Sequence, residues 1–393
     1  MKSYHIRFVI LSFCTYIAFA FSLNVSGANA PVMMEYYHIN AAQMGLILTM
    51  QAVGGLVISV FLLLRGEMYN KINLIAIAVI VMGISYIFIG FTPAYMILIV
   101  VIVFVGVGGS MVDSMLNSML SDVYPKQKST LIPLGQAFFS IGAISTPVFV
   151  TMTVNPGAPE TFSRPYGFAG IFAVALFLLY LLSARRIRPE TTPADRAEIR
   201  KRVGQNPAEV LKTKKAWVLI VISILYFTSQ LGLLTWLPTY MIQNVGADFK
   251  TAGLSLTVML AGALPMRVIG PLILKKMAPR TAYFLFGCAS FVLMMILLFM
   301  HDILAIFILL AASGFLQGLS SAILFLLCTE AFPGRSASGA SLVALSSCIS
   351  VLTAPLWTGW LSEYTGFRIP LIICACAFAV SAVMVFLRRE RAT

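Results

Sequence analysis

The side chain with the clearest capacity for chemistry is Asp113, an acid in the middle of a long apolar stretch. It lies about nine residues before Asp122, which at helical rise is roughly 13 Å from the polar end of that stretch. A carboxyl group among apolar atoms is less costly when neutral, so it can take up and release a proton. The sequence therefore predicts proton coupling at Asp113, with a permanent buried ion pair as the structural alternative. Small and polar residues form one helical stripe around it: Gly106, Ser110, Asp113, Asn117 and Ser121.

Arg267 is the second ionisable residue well inside an apolar stretch, about eight residues before Lys275. Its expected depth matches that of Asp113 to within one helical turn, so the two side chains could pair. A long arginine side chain can also extend towards the polar end of its helix. We therefore expect a gating or structural role for Arg267, with direct contact to a solute as the alternative.

Uncharged polar residues within other apolar stretches supply hydrogen-bond donors and acceptors suited to hydroxyl groups. Gln136 and Ser140, for example, are one helical turn apart and face the same way. Hydrogen bonds between helices are the alternative for each amide, and an aromatic belt at the membrane interface is the alternative for Trp236. The predicted contacts to a solute are Asn24, Asn29, Asn117, Gln136, Ser140, Tyr226, Gln230, Trp236 and Gln317.

The elements that must position these residues are apolar helices. AVILMFWYC residues make up 60% of the 393-residue chain, and Asp, Glu, Lys and Arg only 10%. Soluble proteins average roughly 45 to 50% apolar residues and about 25% charged residues, so a water-soluble globular fold is excluded. A membrane-spanning helix needs about 20 apolar residues. The sequence predicts an all-α membrane protein with twelve spans, at 7–30, 42–64, 73–91, 94–121, 131–153, 166–184, 216–242, 251–274, 281–300, 303–329, 338–361 and 369–387.

Basic residues between the apolar stretches predict the orientation of the helices. Most of the 27 Lys and Arg residues lie at one end of the spans, and ten of them lie between Arg185 and Lys215. Because basic residues concentrate on the cytoplasmic side, we expect a multi-pass protein of the bacterial inner membrane with both termini in the cytoplasm. Anionic lipid then accounts for the net charge of +13, and no nucleic-acid partner is expected.

An internal repeat divides the sequence into two halves. Asp122-Val-Tyr-Pro125 recurs as Glu330-Ala-Phe-Pro333, 208 positions later. Parallel halves of this kind are typical of secondary transporters, which bind their solute near the bilayer midplane between the halves. We expect six-helix bundles over 1–184 and 216–393, joined by a cytoplasmic linker over 185–215. At the same offset the sequence pairs Gly45 with Gly253, Gly54 with Gly262, Gly106 with Gly314, and Pro147 with Pro355.

Departures from the repeat distinguish functional from structural residues. A residue needed only for packing should have a similar partner in the other half, whereas a functional residue should not. Asp113 corresponds to Ser321, and Arg267 corresponds to Ser59. Asp122 and Glu330 correspond to each other, which favours a loop ion pair or gating contact at the ends of the spans.

Sequence patterns for metal, nucleotide or covalent chemistry are missing. The three histidines are isolated, and the six cysteines lie within apolar runs without a Cys-x-x-Cys pair. The sequence also lacks a Walker lysine motif, His-Glu-x-x-His and Gly-x-Ser-x-Gly. We therefore expect neither an enzyme nor an ATP-driven pump, and no cofactor or metal ion.

The fourth and fifth predicted spans resemble the fucose permease branch of the major facilitator superfamily. Asp113 and Asn117 match its acid-x3-Asn pattern, and Gln136-Ala-Phe-Phe-Ser-Ile-Gly142-Ala is similar to its Gln-x5-Gly-Ala pattern. The resemblance implies a twelve-helix fold in two pseudo-symmetric bundles, sugar–proton symport, and proton coupling at Asp113. Arg267 is similar to the arginine of the eighth-span Gly-Arg pattern of that branch.

Three positions depart from the family patterns. Met266 stands where the eighth-span pattern has glycine, and Gly27 lies near the place of a second acid in the first span. The segment Leu64-Arg-Gly-Glu-Met-Tyr-Asn-Lys71 is a degenerate form of the superfamily signature Gly-x-x-x-Asp-Arg-x-Gly-Arg-Lys.

These observations predict a monomeric secondary transporter that moves a small hydroxylated, sugar-like solute by proton symport and alternating access. One alternative is a proton-coupled exporter of drugs or metabolites, because 20 Met and 28 Phe could line an adaptable cavity. A second alternative is a membrane sensor that binds a ligand without transporting it. The sequence has no long polar domain of the kind that would favour a sensor.

Overall fold

The computed structural model describes residues 3–39, 41–124, 127–155, 157–184, 209–332 and 334–388. Within these ranges the secondary structure is helical and contains no β-strand. Twelve helices in the same ranges are long and apolar enough to cross a bilayer. The predicted all-α fold with twelve spans is confirmed.

Each helix falls on one of the predicted apolar stretches, with ends that differ by a few residues. Spans one to six are Ser3–Ala28, Ala41–Arg65, Lys71–Gly90, Tyr95–Val123, Lys128–Thr153 and Arg164–Ala184. Spans seven to nine are Lys214–Tyr240, Phe249–Leu274 and Pro279–Leu297. Spans ten to twelve are the two-part Ile303–Gln317 and Ser320–Ala331, then Ser336–Thr365 and Arg368–Leu387. The shorter elements are the helices Ala30–Tyr37 and Glu209–Lys212 and the turns Gly66–Met68, Pro159–Ser163 and Met241–Val245.

Local sequence signals explain where two of these helices begin. The side chain of Asn70 accepts a hydrogen bond from the backbone N–H of Ile72, and so caps the third span. Asp302 accepts in the same way from the N–H of Ala305 at the start of the tenth span. Such capping side chains satisfy N–H groups that have no partner within the helix.

Glycines at repeat positions bring pairs of spans into close contact. A side chain at Gly54 would overlap the backbone carbonyl of Val103, and a side chain at Gly106 would overlap that of Gln51. Spans two and four can therefore touch only because these residues lack a Cβ. The same pairs recur 208 positions later between spans eight and ten, as Gly262 with Ala311 and Gly314 with Met259.

The tenth span is interrupted near its middle. Its first helix ends at Gln317, and Gly318 and Leu319 separate it from the second helix. A side chain at Gly318 would overlap the carbonyl oxygen of Ala263 in the eighth span. The interruption therefore lies at a point where two backbones nearly touch.

The helices form two compact units. Unit 1 comprises Met1–Lys126, Phe138–Thr213 and Thr329–Leu345. Unit 2 comprises Gln127–Ala137, Lys214–Cys328 and Ser346–Thr393. Each unit thus includes a short segment from the other half of the sequence. The bundles 1–184 and 216–393 stay a prediction, and 185–208 of the expected linker lies outside the described residues.

Candidate functional site

Asp113 lies in the fourth span, and its carboxyl group contacts Asn117 one helical turn later. Asn117 Nδ2 donates to Asp113 Oδ1 at 3.0 Å and to the backbone oxygen of Asp113 at 2.8 Å. Tyr16 of the first span donates its hydroxyl hydrogen to Asn117 Oδ1 at 3.0 Å. Tyr16 and Asn117 are fully buried, whereas Asp113 is partly buried. We call these three residues the Asp113 cluster.

The Asp113 cluster can hold its acid in either protonation state. Apolar surroundings favour the neutral carboxyl group, whereas the N–H donor of Asn117 favours the charged carboxylate. Asp113 forms no ion pair with a basic side chain in the part of the chain that the structure describes. A permanent ion pair at Asp113 therefore gains no support from these residues.

Arg267 lies in the eighth span and is only 6% exposed. Its Nε donates to the carbonyl oxygen of Gly318 at 3.0 Å, and its Nη1 donates to that of Gln136 at 2.7 Å. The Gly318 oxygen is available because the tenth span is interrupted there. The guanidinium group thus joins three segments of unit 2, which are spans eight and ten and the start of span five.

Two buried hydroxyl groups lie near Arg267. Tyr226 is close enough to interact electrostatically with the guanidinium group, and its hydroxyl faces that of Ser321. Neither hydroxyl completes a hydrogen bond within the residues that the structure describes. An unsatisfied buried polar group costs about 1–3 kcal/mol, so a polar ligand or water is the expected partner. We call Tyr226, Arg267 and Ser321 the Arg267 cluster.

In unit 1, some of the side chains predicted to contact a solute already form hydrogen bonds within the protein. Asn24 is half-buried, and its Nδ2 donates to the carbonyl oxygen of Ala20 at 2.7 Å. Asn29 is fully buried at the end of the first span, and its Nδ2 donates to the carbonyl oxygen of Phe162 at 2.6 Å. Asn29 therefore helps to fix the connection after the first span. Ser140 is 5% exposed in the fifth span.

The predicted contacts of unit 2 differ in how much of their hydrogen-bonding capacity remains. Gln230 is half-buried, and its side chain makes no hydrogen bond to any described residue. Trp236 donates its indole N–H to Thr358 Oγ1 at 2.7 Å. Gln317 donates its amide hydrogens to Ser290 at 2.8 Å and to Ser313 at 2.9 Å. Of these three side chains, Gln230 is therefore the best placed to bind a solute. Gln136 is 5% exposed and contacts Arg267 through its backbone.

A charged cluster in unit 1 joins the ends of four spans. Lys71 Nζ pairs with Glu67 Oε2 at 3.2 Å and with Asp122, and it donates to Ser336 Oγ at 2.8 Å. Glu67 Oε1 accepts a hydrogen bond from the backbone N–H of Ala337 at 2.5 Å. The carboxylate thus lies at the N-terminus of the eleventh span, where the helix dipole favours negative charge. We call these five residues the Lys71 cluster.

The Lys71 cluster contains one residue that the sequence singles out by repeat position. Asp122 is predicted there as an ion pair or gating contact, and the structure places it beside Lys71. Its repeat counterpart Glu330 is exposed at the end of the tenth span. Glu67 and Lys71 were not predicted as site residues. Both belong to the degenerate signature segment, and the acid and base within that segment could have identified them. Ser321 had a weaker signal, its repeat correspondence to Asp113.

Comparison with known sequences identifies related membrane transporters. The sequence profile of the Major Facilitator Superfamily matches residues 10–355 and 243–393. The uncharacterised MFS-type transporter YfkL of Bacillus subtilis is 24% identical over 319 residues, covering 77% of this chain and 76% of YfkL. The probable sulfoacetate transporter SauU of Cupriavidus necator is 20% identical, covering 98% of this chain and 93% of SauU. The inner membrane transport protein YdiN of Escherichia coli is 22% identical, with coverage of 99% and 93%.

Solved structures of two sugar transporters are similar along nearly the whole chain. The MFS transporter FucP in the outward conformation has a TM-score of 0.78 at 15% identity, covering 99% of this chain and all of FucP. The proton:xylose symporter XylE has a TM-score of 0.76 at 12% identity, covering 97% of this chain and 95% of XylE. At these identities the similarity establishes the fold alone.

Proposed function

This chain belongs to the Major Facilitator Superfamily and is a multi-pass membrane transporter, and on that premise we propose that it moves a small hydroxylated solute together with protons. The superfamily fold supports secondary transport by alternating access. We place the transporter in the bacterial inner membrane as a monomer with both termini in the cytoplasm. The positions of its basic residues support that orientation.

The Asp113 cluster is the single observation that supports proton coupling most strongly. Asp113 is the only acid of the sequence well inside a predicted span, and ionisable groups at that depth are usually functional. Asn117 supplies a donor to the carboxylate at 3.0 Å. Asp113 would take up a proton on the proton-rich side of the membrane and release it on the other side. Because solute and proton would bind to the same conformational states, the proton gradient would drive the solute.

Polar groups with spare hydrogen-bonding capacity support a hydroxylated solute. Gln230 can both donate and accept, and the hydroxyls of Tyr226 and Ser321 have no completed hydrogen bond to a described residue. Asn24 keeps its side-chain oxygen available after donating to the first span. The structural similarity to FucP and XylE, whose names specify fucose and xylose symport, supports a sugar-like molecule.

A small organic anion is a second candidate solute. Arg267 places a buried positive charge next to Tyr226, and a buried cation is a natural contact for a carboxylate or sulfonate. The relative SauU is named as a probable sulfoacetate transporter, which supports the same class of solute. Arg267 would then contact the anion in addition to its backbone carbonyl partners.

A thermal-unfolding screen separates these candidates. The purified protein would be heated with sugars, nucleosides, organic acids including sulfoacetate, and cationic drugs. A ligand at 100 times its Kd stabilises the folded state by about 2.7 kcal/mol. We expect stabilisation by a sugar or related polyol. Stabilisation by sulfoacetate alone would identify the anion candidate, and stabilisation by cationic drugs alone would contradict both.

Transport direction then separates symport from the alternatives. In proteoliposomes with acid outside, a symporter should accumulate the stabilising solute, because protons flow inward with it. A proton-coupled exporter that works by exchange should expel the solute under the same gradient. A membrane sensor should bind the solute without moving it in either direction.

A further inference from the structure

The hydroxyl group of Tyr16 fixes the orientation of the amide that contacts Asp113. Asn117 Oδ1 can only accept a hydrogen bond, and it accepts from Tyr16 at 3.0 Å. The amide nitrogen is thereby turned towards Asp113, where it donates to the carboxyl oxygen and to the backbone oxygen. The first and fourth spans are thus connected through one fully buried asparagine.

We propose that Tyr16 is a positioning residue that sets the proton affinity of Asp113 by holding Asn117 as a donor to its carboxylate. The inference rests on the proposed role of Asp113 in proton coupling. Tyr16 itself does not contact the carboxyl group in this arrangement; it acts through the asparagine. The sequence alone does not single out Tyr16, because apolar helices often contain tyrosine.

Loss of the Tyr16 hydroxyl would leave Asn117 Oδ1 buried without a donor. An unpaired buried oxygen is costly, so the amide would rotate towards another partner or bind the carboxylate in a poorer geometry. The charged form of Asp113 would lose stabilisation, whereas the neutral form, which needs a donor less, would lose little. Cooperative polarisation along the chain of hydrogen bonds adds to the same effect.

Other ionisable groups do not take the place of Tyr16 beside Asp113. Among the described residues, the phenol of Tyr16 interacts electrostatically with Asp113 from the neighbouring first span. Cys14, on the same span, faces Tyr180 instead. Spans two and three also pack against the fourth span. The described ionisable residues of those spans and of the turn between them lie at the span ends or within about one helical turn of them: Arg65, Glu67, Lys71 and Tyr86.

Infrared titration of the full-length protein in lipid vesicles measures this proton affinity without a solute. The carboxyl band of Asp113 is identified by its loss in Asp113→Asn. In Tyr16→Phe we expect the pH of half-protonation to rise by about 0.5–1 unit, a roughly three- to tenfold change in proton affinity. The ring of Tyr16 is kept, so packing changes little.

Tyr180→Phe is the matched control. Tyr180 is also fully buried in unit 1, and its hydroxyl bonds to Thr15 at 2.9 Å, next to Tyr16 along the chain. Its removal deletes the same chemical group without touching Asn117. We expect the titration of Asp113 to be unchanged in this variant. If the pH of half-protonation shifted equally in both tyrosine variants, the cause would be a general loss of polarity, and the proposal would be overturned.

Asn117→Ala tests whether Tyr16 acts through the asparagine. This variant should raise the pH of half-protonation at least as much as Tyr16→Phe does, and adding Tyr16→Phe to it should have no further effect. An unchanged titration in either single variant, or a full additional shift in the double variant, would overturn the proposal. The role of Asp113 in coupling is judged separately, because it depends on solute accumulation and not on this titration.

Discussion

The Asp113 cluster of unit 1 and the Arg267 cluster of unit 2 occupy the same type of scaffold but differ in charge and in partners. In both halves, glycines at matching repeat positions bring two spans into backbone contact. Yet Asp113 corresponds to Ser321 in the repeat, and Arg267 corresponds to Ser59. The packing of the helices therefore follows the repeat, whereas the two buried charged residues depart from it.

The partners of the two charged groups indicate different tasks. Asp113 is held by side chains, because Asn117 contacts it and Tyr16 contacts Asn117. Arg267 is held by two backbone carbonyl oxygens, and a guanidinium group stays charged at any physiological pH. A carboxyl group can change both its charge and its contacts during a transport cycle. The arginine is better suited to joining segments of one unit.

Substitution of the contact glycines should have the largest effect and should be equal in the two halves. Gly106→Ala and Gly314→Ala each place a methyl group against a backbone carbonyl that cannot move without shifting its helix. We expect each change to destabilise the protein by about 1–3 kcal/mol. The measurement is the thermal unfolding midpoint of purified protein.

Gly45 and Gly253 provide the control pair for that experiment. They match each other in the repeat, and a Cβ at either position would meet no other atom within 4 Å. Alanine there should be neutral or stabilise the helix by up to about 1 kcal/mol. A similar loss of stability at all four positions would show that the backbone contacts are not its cause, and unequal losses in Gly106→Ala and Gly314→Ala would contradict the equivalence of the two helix contacts.

Arg267→Ala should have the next largest effect, localised to one segment. Without the guanidinium group, the carbonyl oxygens of Gln136 and Gly318 lose their donor. We expect the amide hydrogens of residues 127–137, which belong to unit 2, to exchange roughly 10- to 150-fold faster, because a lost hydrogen bond to a charged group costs roughly 1.5–3 kcal/mol. Mass spectrometry of hydrogen exchange measures this.

Arg267→Lys and Lys275→Ala complete the comparison. Lysine keeps the charge, but its single ammonium group should restore only part of the protection of residues 127–137. Lys275 is exposed at the end of the same helix, so its loss should leave exchange unchanged. Wild-type exchange in Arg267→Ala would show that the arginine does not hold this segment.

Changes in the Lys71 cluster should have the smallest effects and should differ between its two acids. The side chain of Glu67 is 19% exposed, whereas that of Asp122 is 46% exposed. An exposed ion pair contributes about 0–1 kcal/mol, so Asp122→Asn should change stability little. Glu67→Gln should speed hydrogen exchange at the start of the eleventh span, because its carboxylate accepts from Ala337. Equal effects of the two changes would argue against helix capping by Glu67.

Hydropathy was enough to predict the spans but not the interruption of the tenth. Twelve apolar stretches give twelve helices because the bilayer requires backbone hydrogen bonds to be satisfied within each span. The stretch from Ile303 to Ala331 is apolar enough on average for one continuous span, so hydropathy alone does not reveal a break, although Gln317, Ser320 and Ser321 lie beside it. The break at Gly318 depends on the close approach of Ala263, a contact between residues far apart in the sequence.

The candidate site was predictable where its residues share one helix. Asp113 and Asn117 are one turn apart, and their spacing alone predicts that they share a helix face. Tyr16 is 101 residues from Asn117, and only the packing of the first and fourth spans brings them together. Two hydrogen-bond partners of Arg267 are backbone oxygens, which every residue type provides, so no sequence pattern identifies them.

The most direct test of the account compares solute accumulation with solute exchange in Asp113→Asn. The solute is the one that stabilises the purified protein, and the measurements use proteoliposomes with and without a proton gradient. Exchange at equal pH needs only binding and alternating access, whereas accumulation also needs proton release on the far side. We predict that Asp113→Asn keeps exchange and loses accumulation, while Asp122→Asn keeps both. Accumulation by Asp113→Asn at the wild-type level would contradict proton coupling through this residue.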